Sequence, residues 1–143
     1  MPRLFVVAFD ARLPRWALEA RGEYLKRMPR GFEVECLALK AESAKRLRAR
    51  LPKGTRLIAL DERGRNPGTA QFAQQLERWR REGDAVAFVI GGADGLGDEF
   101  KREAQQLLQL SALTLPHALA QVLLCEQLYR AASLLAGHPY HRE

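Results

Sequence analysis

Histidine and cysteine are scarce in this chain, with three and two among 143 residues. Cys36 and Cys125 stand 89 positions apart in apolar surroundings. That spacing looks like two reduced core thiols of a cytoplasmic protein and not a disulfide framework or a zinc-binding cluster, with a single disulfide between them as the lesser alternative. His138 and His141 are separated by Pro139 and have no third ligand nearby, so no metal site is expected. Repeats and low-complexity tracts are absent. The apolar run after Arg3 holds six residues, too short for the apolar region of a secretory signal. No G-x-G-x-x-G, G-x-x-x-x-G-K-[ST], H-E-x-x-H or serine elbow occurs. Dinucleotide, P-loop, zinc-peptidase and serine-hydrolase chemistry therefore have no motif here.

What is present suits one domain over residues 1–143, with 47% apolar and 28% charged residues. The net charge of +6 is unevenly placed. Residues 1–83 carry 19 Lys and Arg against 10 Asp and Glu, whereas residues 84–143 carry 4 against 7. The run KAESAKRLRARLPKGTR (40–56) has seven basic residues and one acid. Such a lobe fits a polyanionic partner, most simply nucleic acid, or else a solvated arginine-rich face.

Periodicity predicts alternating elements. Strands are expected at 3–9, 32–39, 56–61, 85–92 and 107–115. Helices are expected at 13–28, 41–51, 70–83, 94–106 and 116–136. The alternation predicts an α/β fold, a mostly parallel sheet with helices on both faces. Ligands of such sheets bind beyond the carboxyl ends of the strands. The loops after Leu60, Ile90 and Thr114 then qualify. The last helix is apolar nearly all round, and Gln121, Glu126, Gln127 and Arg130 near its centre argue against a membrane span. Burial on two sides, by its own sheet and by a second copy of the chain, accounts for it and predicts a homodimer.

The glycine-rich run VIGGADGLGDE carries Asp94, Asp98 and Glu99, which would repel a phosphate. It reads either as a plain strand-to-helix turn, with glycine supplying positive φ, or as a loop for a ligand without phosphate.

The runs VAFVIGGADGLGDEF (86–100) and LSALTLPHALAQVLLCEQLYRAASLLAGHPYHRE (110–143) resemble the ribosomal RNA large subunit methyltransferase H family. The middle segment LDERGRNPGTAQFAQQLERW (60–79) and the start, with LFVVAF and EYLKRMP, are similar too, so the likeness spans essentially the whole chain. It implies the α/β-knot fold of the SPOUT methyltransferase class, with a C-terminal trefoil knot and paired chains. It also implies S-adenosylmethionine as methyl donor and, as acceptor, N3 of a pseudouridine in 23S rRNA of the assembled ribosome, without a separate RNA-binding domain. Cofactor contacts carried over by the resemblance fall on Leu60, Gly92, Ser111, Ala112, Leu113, Thr114, Leu115 and Pro116. Two departures stand out: the family's GGP is GGAD here, with Ala93, and the region 40–56 is short.

A sulfonium without phosphate agrees with an acid-rich glycine loop. Removing the N3 proton calls for a base or for a cation that stabilises the ring anion. His141 and Arg142 are the candidates, with Tyr140 stacking on the base. Arg142 is alternatively a phosphate contact, and Glu126 and His117 orient the tail or that of a partner. The opposing reading makes HPYHRE a structural clasp over the dimer. Two other function readings compete with the enzyme: a non-catalytic basic ribosome-binding protein, and a monomeric flavodoxin-like or response-regulator fold.

Overall fold

The computed structural model describes residues 3–141, the last by its backbone. Its strands are β1 (Leu4–Phe9), β2 (Val34–Leu39), β3 (Arg56–Arg65), β4 (Val86–Ile90) and β5 (Gln106–Leu108). Its helices are α1 (Arg15–Leu25), α2 (Ala44–Ala49), α3 (Thr69–Arg81), α4 (Asp98–Glu103) and α5 (His117–Ala136). A 3-10 turn, Pro139–His141, closes the described chain. The five strands form one parallel sheet in the order β2-β1-β4-β3-β5.

Every residue of β1 and β4 is buried, as expected of central parallel strands covered on both faces. β2, at the edge, keeps Glu35 and Ala38 exposed. Strand side chains alternate between two cores. Leu4, Val6, Ile58, Val86, Phe88 and Ile90 meet Phe72, Leu76 and Trp79 of α3 and Leu124, Leu128 and Ala132 of α5. On the other face Phe5, Val7, Phe9, Leu57 and Val89 meet Leu47 of α2 and Phe100 of α4. Leu124 and Leu128 are fully buried, each contributing about 1.5–3 kcal/mol of apolar burial.

The expected strand at 107–115 is mostly not one. β5 ends at Leu108, and residues beyond it leave the sheet. The reason lies in β3, which runs past Asp61 to Arg65. Leu108 pairs with Leu60 and again with Arg65, so residues 61–64 bulge outward between the two pairings. Gln109 is gripped there: its amide donates to the Arg65 carbonyl (2.7 Å) and its Nε2 to the Glu62 carbonyl (2.9 Å). Asn66 Nδ2 in turn donates to the Gln109 carbonyl at 2.9 Å. The helix expected at 94–106 is likewise only 98–103, because the glycine loop occupies its first turn.

α5 lies between two neighbours of its own chain. Arg21 of α1 donates to Gln121 Oε1 (3.1 Å), and Tyr24 rests on Tyr129 with ring centroids 6.1 Å apart. Thr69 of α3 donates to Gln127 Oε1 at 2.9 Å. Part of the all-round apolar character of α5 is thus used inside the chain. Among the described residues no helix is long and apolar enough to cross a membrane.

Candidate cofactor cleft at the strand ends

A cleft of about 830 Å³ opens beyond the carboxyl ends of β3, β4 and β5. That is the size range of small-molecule sites. Leu60, Gly92, Ser111, Ala112, Leu113, Thr114, Leu115 and Pro116 all line it, and His117 joins them. Three strand-end loops, far apart in sequence, converge there because a parallel sheet puts all its carboxyl ends on one side.

The glycine loop is shaped by close backbone approach more than by dihedral freedom. A β-carbon on Gly91 would stand 2.5 Å from the Gly95 carbonyl carbon. The Gly95 amide folds back onto the Gly92 carbonyl at 2.9 Å, and only Gly95 in this loop has positive φ (71°). Asp94, Asp98 and Glu99 are exposed on the loop and the start of α4. Asp61 and Glu62 line the opposite wall.

Sequence reading missed an ion pair in this cleft. Lys101 of α4 reaches Asp61 Oδ1 at 3.1 Å, and both side chains are mostly buried. No spacing rule links positions 40 apart. Asp61 also accepts from the Arg63 amide through its other oxygen (3.1 Å). His117 begins α5 after Pro116, whose extended backbone sets the turn. Its Nδ1 is buried and has no hydrogen-bond partner. An orphaned buried nitrogen on a cleft wall suits a ligand that brings its own donor or acceptor. Ser111 caps the amide of Leu113 (2.9 Å) and holds its loop in shape, leaving Leu113 77% exposed at the cleft mouth.

The remaining tail candidates lie elsewhere. Glu126 accepts from Tyr140 Oη (2.9 Å), from Arg130 Nε (3.0 Å) and from Gln127 Nε2 (2.7 Å). Arg130 stacks over the Tyr140 ring at 4.9 Å, and that ring lies 4.6 Å from the ring of Tyr129. Burial and the Glu126 carboxylate push the Tyr140 hydroxyl up to about 12. Tyr140 is therefore a folded part of the α5 surface in this chain. Glu126 lies nine positions beyond His117 along α5, roughly 13 Å along the axis. The structure brings His117 to the cleft and sets Glu126 and Tyr140 apart from it. Arg142 and the side chain of His141 lie outside the described residues.

A second cavity, about 50 Å³, sits at the amino ends of the strands between Phe32, Trp79 and Arg80. It has room for a water or two and not for a nucleoside. Among the described residues no three histidine, cysteine or carboxylate side chains gather as a metal site.

Residues 3–141 match a family model described as "Predicted SPOUT methyltransferase". The chain is 49% identical to the ribosomal RNA large subunit methyltransferase H of Polynucleobacter asymbioticus, over 99% of both chains. It is 47% identical to the protein of the same name in Delftia acidovorans, again over 99% of both. In fold it resembles a probable methylase family protein from Haemophilus influenzae, with a TM-score of 0.68 at 15% identity, covering 97% of this chain and 70% of the other. A five-stranded parallel sheet with a strand-end cleft and a whole-length match of this kind make the chain an enzyme of the SPOUT methyltransferases and, within them, a member of the ribosomal RNA large subunit methyltransferase H family.

Proposed function

We propose that this enzyme transfers a methyl group from S-adenosylmethionine to N3 of a pseudouridine in 23S rRNA of the assembled ribosome, in the cytoplasm, as a homodimer. The observation that carries the reading is the convergence of the eight cofactor candidates and the acid-lined glycine loop on one cleft.

The cleft fits the cofactor by its chemistry. Asp61, Glu62 and Asp94 line it and suit a sulfonium, and the one Lys or Arg among the described residues that line it, Lys101, is held by Asp61. Leu60, Leu113 and Leu115 supply apolar walls, while backbone groups of 111–116 and His117 Nδ1 supply polar contacts. S-adenosylmethionine supplies an activated methyl group when bound. The residues of the chain hold donor and acceptor in line, and most of the rate comes from that positioning.

The tail supports the dimer. α5 is roughly 30 Å long, and the turn after it folds back on its carboxyl half, away from the chain's own cleft. Two chains paired antiparallel along α5 set each tail beside the partner's cleft. Trp16 and Leu18 on α1 and Leu119 on α5 are exposed apolar side chains that such pairing would cover. In this arrangement His141 or Arg142 acts at the N3 proton or the ring anion, and Tyr140 and Glu126 hold the tail. The trefoil knot belongs to the same reading.

Methylation of ribosomes from a strain lacking the modification tests the proposal. Wild type is expected to methylate them. Arg142→Ala and His141→Ala are expected to lose roughly 10²–10³-fold in rate while S-adenosylmethionine affinity by calorimetry holds. Absence of S-adenosylmethionine binding would leave only a basic ribosome-binding protein. A monomer on a sizing column would remove the shared site.

A further inference from the structure

We infer that Arg12, Lys40, Lys45 and Arg46 form a cationic rim beside the cleft that docks phosphates of the rRNA substrate, a statement that rests on the methyltransferase reading above.

Three backbone contacts place this rim. β1 and β2 end in register, Phe9 against Leu39. Asp10 follows in the left-handed region with φ 51°, which aspartate tolerates better than most side chains. Its amide donates to the Leu39 carbonyl at 2.9 Å, and its Oδ1 accepts from the Ala41 amide at 3.1 Å. The segments carrying Arg12 and Lys40 are therefore tied side by side. On the other side lies the glycine loop: a β-carbon on Gly92 would stand 3.2 Å from the Phe9 carbonyl oxygen and 3.4 Å from Asp10. Ser43 then caps α2 by accepting from the Arg46 amide (3.1 Å), so Lys45 and Arg46 fall in the first turn of that helix, still at the cleft end of the sheet.

The four side chains are exposed, and none makes a side-chain hydrogen bond or salt bridge among the described residues. Neighbouring cations differ. Arg15 pairs with Glu19, Arg48 with Glu103, and Arg50 with Glu42 through two hydrogen bonds of 2.7 and 3.0 Å. Of the acids near the rim, Glu42 pairs with Arg50 while also lying in the field of Arg46, and Glu19 pairs with Arg15. Asp10 accepts from the Ala41 amide and keeps its negative charge, so four cations against one carboxylate leave a net positive rim on one side of a cleft whose walls carry Asp61, Glu62 and Asp94. A nucleic acid backbone is repelled by those walls and attracted by the rim. Phosphates on the rim hold the strand while a single base enters the cleft. This arrangement orients the substrate through its backbone, as phosphate contacts do.

Binding of purified assembled ribosomes, measured from 50 to 200 mM salt, tests the rim. Each phosphate contact adds about 0.7–0.9 to the slope of log affinity against log salt. R12A/K40A/K45A/R46A is expected to lower that slope by about 3, and R12A and K40A singly by just under 1 each. Calorimetry with S-adenosylmethionine is expected to be unchanged in all of them. Arg78 and Arg81, exposed on the last turn of α3 at the opposite end of the sheet, provide the comparison. R78A/R81A is expected to leave the slope as in wild type. An unchanged slope in the fourfold variant overturns the rim, as does an equal fall per charge in R78A/R81A. Wild type that binds S-adenosylmethionine but not ribosomes overturns the rim and the RNA substrate together. Wild type that binds ribosomes but not S-adenosylmethionine overturns the methyltransferase reading and leaves the rim standing.

Discussion

A β-carbon on Gly64 would stand 2.5 Å from the Leu108 amide nitrogen, and its next neighbours are also backbone. Gly64 lies in the bulge of β3 around β5, where two backbones meet without room for a side chain. Gly64→Ala forces β3 and β5 apart and loosens the clasp on Gln109. A loss of about 3 kcal/mol is expected. The denaturation midpoint measures it, and a change under about 0.5 kcal/mol would show that the bulge relaxes freely.

Lys101 and Asp61 form a mostly buried pair inside the cleft. Lys101→Met leaves the Asp61 carboxylate without its cation, at an expected cost of about 1–3 kcal/mol. Asp61→Asn together with Lys101→Met is expected to restore part of that loss, because no charge is then stranded. A double-mutant cycle with a coupling near zero would refute the pairing.

Cys36 of β2 packs against the core cluster that holds the buried Cys125 of α5, although the sequence separates them by most of its length. The neighbouring Cys125 draws the Cys36 thiol below the usual thiol range, while the same partner and burial push Cys125 up. Since the thiolate is the nucleophile, alkylation at Cys36 is expected to set in at lower pH than for a free thiol, with Cys125 unreactive in the folded chain. Cys125→Ala should move the Cys36 midpoint upward. Mass-spectrometric labelling over pH 5–9 reads both, and equal labelling of the two thiols would contradict the assignment.

Tyr140 keeps its proton to about 12 because of burial and its bond to Glu126. An unfolded tyrosine ionises near 10. The unfolded chain therefore releases this proton first. Stability from this group is complete below about 10 and falls as pH rises toward 12. Tyr140→Phe is expected to lower stability by about 1–2 kcal/mol at neutral pH and to flatten that alkaline fall. Absorbance titration at alkaline pH should lose a late-ionising component in the variant relative to wild type.

The alternation of β and α was legible from the chain because period-two and period-3.6 apolar patterns are local. The strand-end loops after Leu60, Ile90 and Thr114 followed from parallel topology, and they meet in one cleft. The family resemblance named the individual residues within them. The apolar run LLQLSALTL read as one strand because composition does not say whether an apolar residue faces a sheet neighbour or a ligand cleft. Only Leu108 and the two residues before it pair with β3.

By itself the sequence determined the element order, the two-sided sheet, the acid-rich glycine loop and the excess of cations in residues 1–83. Each of these follows from neighbours within a few positions or from simple sums of charge. Tertiary structure decided that Gly64 meets Leu108, that Lys101 holds Asp61, that Cys36 meets Cys125, and that Glu126 binds Tyr140 instead of facing the cleft. It also decided which cations stay unpaired, because a salt bridge depends on where two side chains end up in space and not on how far apart they lie along the chain.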